Sequence, residues 1–141
     1  MRVVIDANVV ISFLLSKGDT VSFIFDEWEK ETFEVLVSTD ILIELDEVID
    51  RATRMTKGAI GSLKTAAMKR RLRKNTIKVS AVSSVHASKD DKDNRYLACA
   101  KDGDADFLIT GDKKHLLSLK KFGTTQIISP IEFVQILQKV T

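Results

Sequence analysis

Short β-branched runs alternate with helix-period segments along the whole chain, and that alternation leaves few architectures open. Antiparallel neighbours can be joined by a two-residue hairpin, but parallel strands need a crossover of a dozen residues or more, usually a helix. The runs Arg2 to Asp6 (RVVID), Phe33 to Ser38 (FEVLVS), Thr76 to Val79 (TIKV), Ala105 to Thr110 (ADFLIT) and Thr125 to Ile128 (TQII) read as strands. The first is apolar at successive positions, as a central strand covered on both faces should be. A three-layer α/β/α sandwich around a parallel sheet of about five strands is therefore expected.

The segments between the strands carry helical signals. ANVVISFLL after Asp6 predicts a short helix stopping around Lys17-Gly18, and Asp19 or Thr20 then caps a helix to about Lys30. Thr39 or Asp40 opens a helix through about Arg51, with Ile41, Leu42, Leu45, Val48 and Ile49 at the helical period. Further helices are expected from Gly58 to Lys74, from Asp91 to Asp102, briefly from Lys113 to Leu119, and from Pro130 onward, where proline suits the first helical position. A Ser-rich connection, SAVSSVHASKD, separates the third strand from the helix that follows. At 141 residues and 44% hydrophobic, the chain suffices for one well-buried core, so residues 1–141 read as a single domain.

Charge is segregated along the sequence. Residues 1–50 hold 12 acids and 3 bases, net −9; residues 51–89 hold 11 bases and no acid, net +11; residues 90–141 hold 8 of each. The basic block, with Arg70, Arg71 and Arg73 on its second helix, is either a solvated face or a footprint for a polyanion backbone. The lone Cys99 excludes an internal disulfide and a cysteine-rich zinc site. No apolar run reaches membrane-spanning length and no signal-peptide pattern opens the chain, so the expectation is a cytoplasmic protein with no membrane partner.

Four acids carry the chemistry. Asp6 follows the first strand, Glu44 lies on the helix after the second, Asp93 begins the helix of KDDKDNRYLACA, and Asp112 follows the strand FLIT. In an open parallel sheet the carboxyl ends of different strands meet at one crevice, so acids distant in sequence can converge there. Each of the three aspartates alone could be an N-cap, since aspartate is favoured at that position. Together they would repel one another unless a cation neutralised them, and carboxylates with no softer ligand point to Mg²⁺ or Mn²⁺. Neither His86 nor His115 forms a recognisable acid-base pair, and no P-loop, dinucleotide fingerprint or Ser-His-Asp order is present.

These residues resemble the PIN-domain family, in particular the small prokaryotic VapC-like members that are toxin components of toxin-antitoxin systems. The motifs are D-x-N at Asp6 and Asn8, S-x-x-I-x-x-E-L from Ser38 to Leu45, D-x-D-N-x-x-L-x-x-A from Asp91 to Ala100, and A-D-F-L-I-T-G-D from Ala105 to Asp112. They span nearly the whole chain in the family's order. The resemblance implies a five-stranded parallel sheet and a metal-dependent ribonuclease whose acids are Asp6, Glu44, Asp93 and Asp112, with Asn8 and Thr110 in supporting roles. Asp90 and Asp91 compete with Asp93 for its place, and Glu47 with Glu44. The resemblance also implies a homodimer, an RNA substrate and a cognate antitoxin of a type II system. The alternatives are a catalytically inactive PIN-like domain that binds RNA or a partner, and a phosphotransfer domain. Of the latter, the haloacid-dehalogenase type expects D-x-D where this chain has Asp6-Ala7-Asn8.

Overall fold

The computed structural model describes residues 1–15, 18–112 and 114–140. Its elements are β1 (Arg2–Ile5), α1 (Ala7–Leu14), α2 (Asp19–Glu29), β2 (Glu34–Val37), α3 (Thr39–Met55), α4 (Ser62–Lys74), β3 (Ile77–Lys78), α5 (Asp91–Asp102), β4 (Phe107–Ile109), β5 (Lys121–Phe122), β6 (Thr125–Ile128) and α6 (Pro130–Val140). The strands form one sheet in the order β3-β2-β1-β4-β6-β5. All pairings are parallel except β5 with β6. This is a three-layer α/β/α fold with a mostly parallel sheet.

Val3, Val4 and Ile5 of β1 are all buried, as are Val35, Leu36 and Val37 of β2. Consecutive buried residues on a strand mean that both of its faces are covered, because side chains alternate from face to face. From β1 the chain steps outward to β2 and β3, then returns to β4 on the other side of β1. Right-handed crossovers send helices to opposite faces when the direction reverses in this way. The helix α5 lies along β1, β2 and β4, while α2 packs on α6. Phe33 and Phe107 meet Phe133 of α6 with ring centroids 5.0 and 6.0 Å apart. Burying one such side chain contributes roughly 1.5–3 kcal/mol.

Gly103, just past α5, is required by close approach. A Cβ there would sit 2.7 Å from Leu36 Cδ1 and 2.9 Å from Val79 Cγ2, closer than packed atoms tolerate.

The structure departs from the sequence expectations at several points. The sheet has a sixth strand, the two-residue antiparallel edge β5, joined to β6 by a two-residue turn in which Gly123 takes φ 60°. Glycine at the first position of such a turn matches the hairpin geometry that follows right-handed strand twist. The helix expected from Lys113 to Leu119 is reduced to a 3-10 turn at Leu117–Leu119, ended by Lys120 at φ 61°; Lys113 lies outside the described residues. The helix α3 runs on to Met55 rather than Arg51, and α4 starts at Ser62 rather than Gly58, because Lys57 and Gly58 take positive φ and break the chain between them. The helix α1 ends at Leu14, and the expected stop at Lys17 lies outside the described residues. Gly18, not Asp19 or Thr20, occupies the cap position of α2.

Candidate acidic active site

Sheet register brings the first acids together. Ile5 pairs with Ile109, and the Asp6 amide donates to the Ile109 carbonyl at 2.9 Å, so Asp6 and Thr110 leave adjacent parallel strands at the same level. Val3 pairs with Val35, and extending that register sets Ser38 level with Asp6. The crevice between β1 and β4 is also where strand order reverses, the position at which ligands bind in open α/β sheets.

Asp6 occupies the cap position of α1 but makes no side-chain cap hydrogen bond. Its Oδ2 instead accepts from Thr110 Oγ1 at 2.7 Å, and the same hydroxyl accepts from the Asp112 amide at 3.0 Å. Asp6 is 8% exposed and Thr110 fully buried. Burial pushes the Asp6 carboxyl up to about 6; the bonds from Thr110 and the Asn8 backbone oppose this, and the charges of Asp93 and Glu44 reinforce it.

Glu44 arrives from α3, whose N-cap is Ser38, its Oγ accepting from the Ile41 amide at 3.3 Å. One helical face runs from that cap to Ile41, Glu44 and Leu45, all buried. Glu44 is 9% exposed, and its Oε2 has no hydrogen-bond partner. Glu47, the rival one turn on, lies outside the buried set of α3. Asp93 is 7% exposed in the first turn of α5, with Oδ2 accepting from Ser88 Oγ at 3.3 Å. Its carboxyl is raised by burial first, then by Asp90 and Asp112, while Ser88 and His115 lower it. The capping role falls to Asp90, whose side chain accepts from the Lys92 amide, and Asp91 is exposed on the same turn.

Asp112 does serve as a local cap. Its Oδ1 accepts from the amides of Lys114 and His115 at 3.2 and 3.1 Å, and it remains partly exposed. Asn8 is exposed, with Oδ1 facing the Gly111 amide at 3.4 Å. Electrostatic coupling thus runs from Glu44 to Asp6, on to Asp93, and from there to Asp112. The all-carboxylate donor set suits a hard cation. Among the described residues, however, no three His, Cys, Asp or Glu side chains stand close enough to hold an ion together.

Three residues beside the acids carry no assigned role in the sequence reading. Asn94 is buried and pins the preceding loop through Ser88, accepting its amide and donating to its carbonyl, both at 2.9 Å. That clamp holds Ser88 against Asp93. The signal was the asparagine of D-x-D-N. Tyr96, one turn beyond Asp93, is 1% exposed and feels the charges of both Asp6 and Glu44.

The basic block is less uniform in space than in sequence. Arg71 stacks its guanidinium 4.8 Å from the centroid of the Trp28 ring and reaches Glu29 at 3.7 Å. Arg73 pairs with Asp46 at 2.8 Å and Lys69 with Asp50, so acids of α3 line α4. Arg70 is exposed. The idea that no acid neutralises the block holds along the chain but not in the fold. A cleft of about 670 Å³ between Trp28, Phe33, Arg71 and Ile77 contains none of the four acids.

A PIN-domain family model matches residues 2–114. The chain belongs to the PIN-domain family. That match covers β1 through Asp112 and hence every candidate acid. No curated protein and no solved structure matches the chain. PIN domains are in general nucleases that use divalent metals, and this chain has the nuclease-type fold. Among the described residues no single helix is long and apolar enough to cross a membrane.

Proposed function

We propose that this PIN-domain protein is a divalent-metal-dependent endoribonuclease that hydrolyses RNA phosphodiester bonds and acts as the toxin of a type II toxin-antitoxin system. The observation that carries the reading is the burial of three carboxylates, Asp6, Glu44 and Asp93, the latter two coupled electrostatically to Asp6 at the strand-order reversal. Asp6, Glu44 and Asp93 would hold Mg²⁺ or Mn²⁺, with Asp112 at the rim. When bound, such an ion supplies Lewis-acid polarisation of a phosphate oxygen and activation of a water.

The chain's own groups do the rest. Thr110 fixes the Asp6 carboxylate by a bond that sheet register dictates. A carboxylate of this set would take a proton from the attacking water. In-line attack by water leaves a 5′-phosphate and a 3′-hydroxyl, whereas a cyclic phosphate product would exclude this route. Arg70 and Arg73 are exposed on α4 and are proposed to meet the RNA backbone, giving affinity without sequence preference.

The test is cleavage of single-stranded RNA with Mg²⁺ or Mn²⁺, comparing wild type with Asp6→Asn. Activity only in the wild type, abolished by chelation, is expected. Equal activity in both, or activity that survives chelation, overturns the enzyme reading. The absence of a ready-made three-acid cluster among the described residues favours the second reading, a non-catalytic RNA- or partner-binding domain. Under that reading the wild type would bind RNA in chelator and never cleave it. The toxin role predicts growth arrest on expression that Asp6→Asn relieves. Homodimerisation and a cognate antitoxin belong to the same proposal, and sedimentation with and without the adjacent gene's product tests them.

A further inference from the structure

Glu44 Oε2 and the Tyr96 hydroxyl are the buried side-chain atoms without a hydrogen-bond partner among the described residues, and they are neighbours. The Tyr96 hydroxyl lies against the Glu44 carboxylate and the backbone amide of Ala7, yet reaches full hydrogen-bond geometry with neither. Ala7 opens α1 directly after Asp6, and the first amides of a helix have no partner within it. One phenol therefore stands between the amide that follows Asp6 and the carboxylate of Glu44. Tyr96 is also three residues after Asp93 on α5, so the two share a helix face.

Packing alone does not explain a hydroxyl here. The ring is 1% exposed, and phenylalanine would fill the same volume without bringing an unpaired oxygen into the core. A phenol is an O–H donor at neutral pH. A buried carboxylate oxygen with no partner needs a donor, and the Tyr96 hydroxyl is the one beside it.

We propose that Tyr96 is a positioning residue, whose hydroxyl donates to Glu44 Oε2 and so turns the other oxygen of Glu44 toward Asp6 and Asp93. The inference rests on the reading of these acids as a cation site. Groups that orient metal-binding carboxylates typically change metal affinity 10- to 100-fold when removed, roughly the loss expected on Tyr96→Phe.

Tyr96 is the only tyrosine in the chain, so a protein labelled with ¹³C at tyrosine Cζ gives one signal that reports directly on this hydroxyl. In metal-free protein, Glu44→Gln should move that signal. In wild type, Mg²⁺ should move it as well, whereas in Asp6→Asn it should not. Calorimetric titration with Mn²⁺, without RNA, should show the affinity of Tyr96→Phe lowered about 10-fold or more. Thermal stability in chelator should fall in Tyr96→Phe, because the buried Glu44 oxygen then loses its only donor. A Cζ signal indifferent to Glu44→Gln, or wild-type Mn²⁺ affinity in Tyr96→Phe, overturns the role of Tyr96 while leaving the cation site standing. Failure of the wild type itself to bind Mn²⁺ overturns both.

Discussion

Replacing Asp6 by asparagine should abolish activity and at the same time make the metal-free protein more stable. The Asp6 carboxyl is raised from an ordinary value of 3.8 to about 6, chiefly because it is buried. The folded state therefore holds this proton more tightly than the unfolded chain does. Stability is greatest below the unfolded value, falls as pH rises through the window between about 4 and 6, and stays reduced above it. A shift of about two units at about 1.4 kcal/mol each amounts to roughly 3 kcal/mol withdrawn from the fold at pH 8.

Asparagine keeps the shape and an oxygen that can accept from Thr110, but carries no charge. The variant should gain up to about 3 kcal/mol at pH 8, a rise in Tm of roughly 8 °C for a chain of this size, and only about 1 kcal/mol at pH 4.5. Thermal unfolding in chelator at the two pH values measures this difference. Adding Mg²⁺ should then raise the Tm of the wild type and leave that of the variant nearly unchanged, since a ligand stabilises only the state that binds it. A variant less stable than wild type at pH 8, or a stability difference that is the same at both pH values, would refute the claim that an uncompensated buried charge sits at the end of β1.

Other substitutions probe the supports of the site. Thr110→Val removes the hydroxyl that joins Asp6 to the Asp112 amide, and with it a partner of a buried carboxylate; urea unfolding should show a loss of about 1–3 kcal/mol, and RNA cleavage should fall at least 10-fold. Asn94→Ala frees the Ser88 backbone, so amide exchange at Ser88 should accelerate and stability drop by about 1–2 kcal/mol, while the α5 core beyond Tyr96 stays protected. Arg70 and Arg71 should separate cleanly. Arg71→Ala should lower Tm through its lost stacking on Trp28, whereas Arg70→Ala should leave Tm alone and reduce the salt dependence of RNA binding, measured by fluorescence anisotropy.

The fold was largely legible because its main elements carry their own signals. Continuous apolar runs mark β1, β2 and β4 as strands covered on both faces, and the crossover requirement then makes the sheet parallel. What escaped the sequence pattern was decided by tertiary contacts. The strand β5 is two residues long, too short for any alternation to register, and exists because Lys121 and Phe122 pair with the end of β6. The segment after Asp112 forms turns ending in the 3-10 turn, with the Asp112 side chain taking the Lys114 and His115 amides and its carbonyl taking that of Leu117. Basic residues 51–89 looked unopposed only because their partners, Asp46, Asp50 and Glu29, precede them in sequence.

The four acids differ in legibility for a physical reason. Asp6 and Asp112 follow strands that are neighbours in register, so their approach is fixed by the sheet itself and could be anticipated once β1 and β4 were recognised. Glu44 and Asp93 sit on helices, and their approach depends on how α3 and α5 dock, which no local periodicity specifies. The competition among Asp90, Asp91 and Asp93 shows this dependence. In the fold Asp90 takes the cap, Asp91 is exposed, and Asn94 holds the Ser88 loop against buried Asp93, arrangements that depend on tertiary contacts. Tyr96 lay further from view, because a tyrosine in an apolar helix stripe reads as packing. Only the docked helices reveal that its hydroxyl lies beside a buried carboxylate oxygen that no other group bonds.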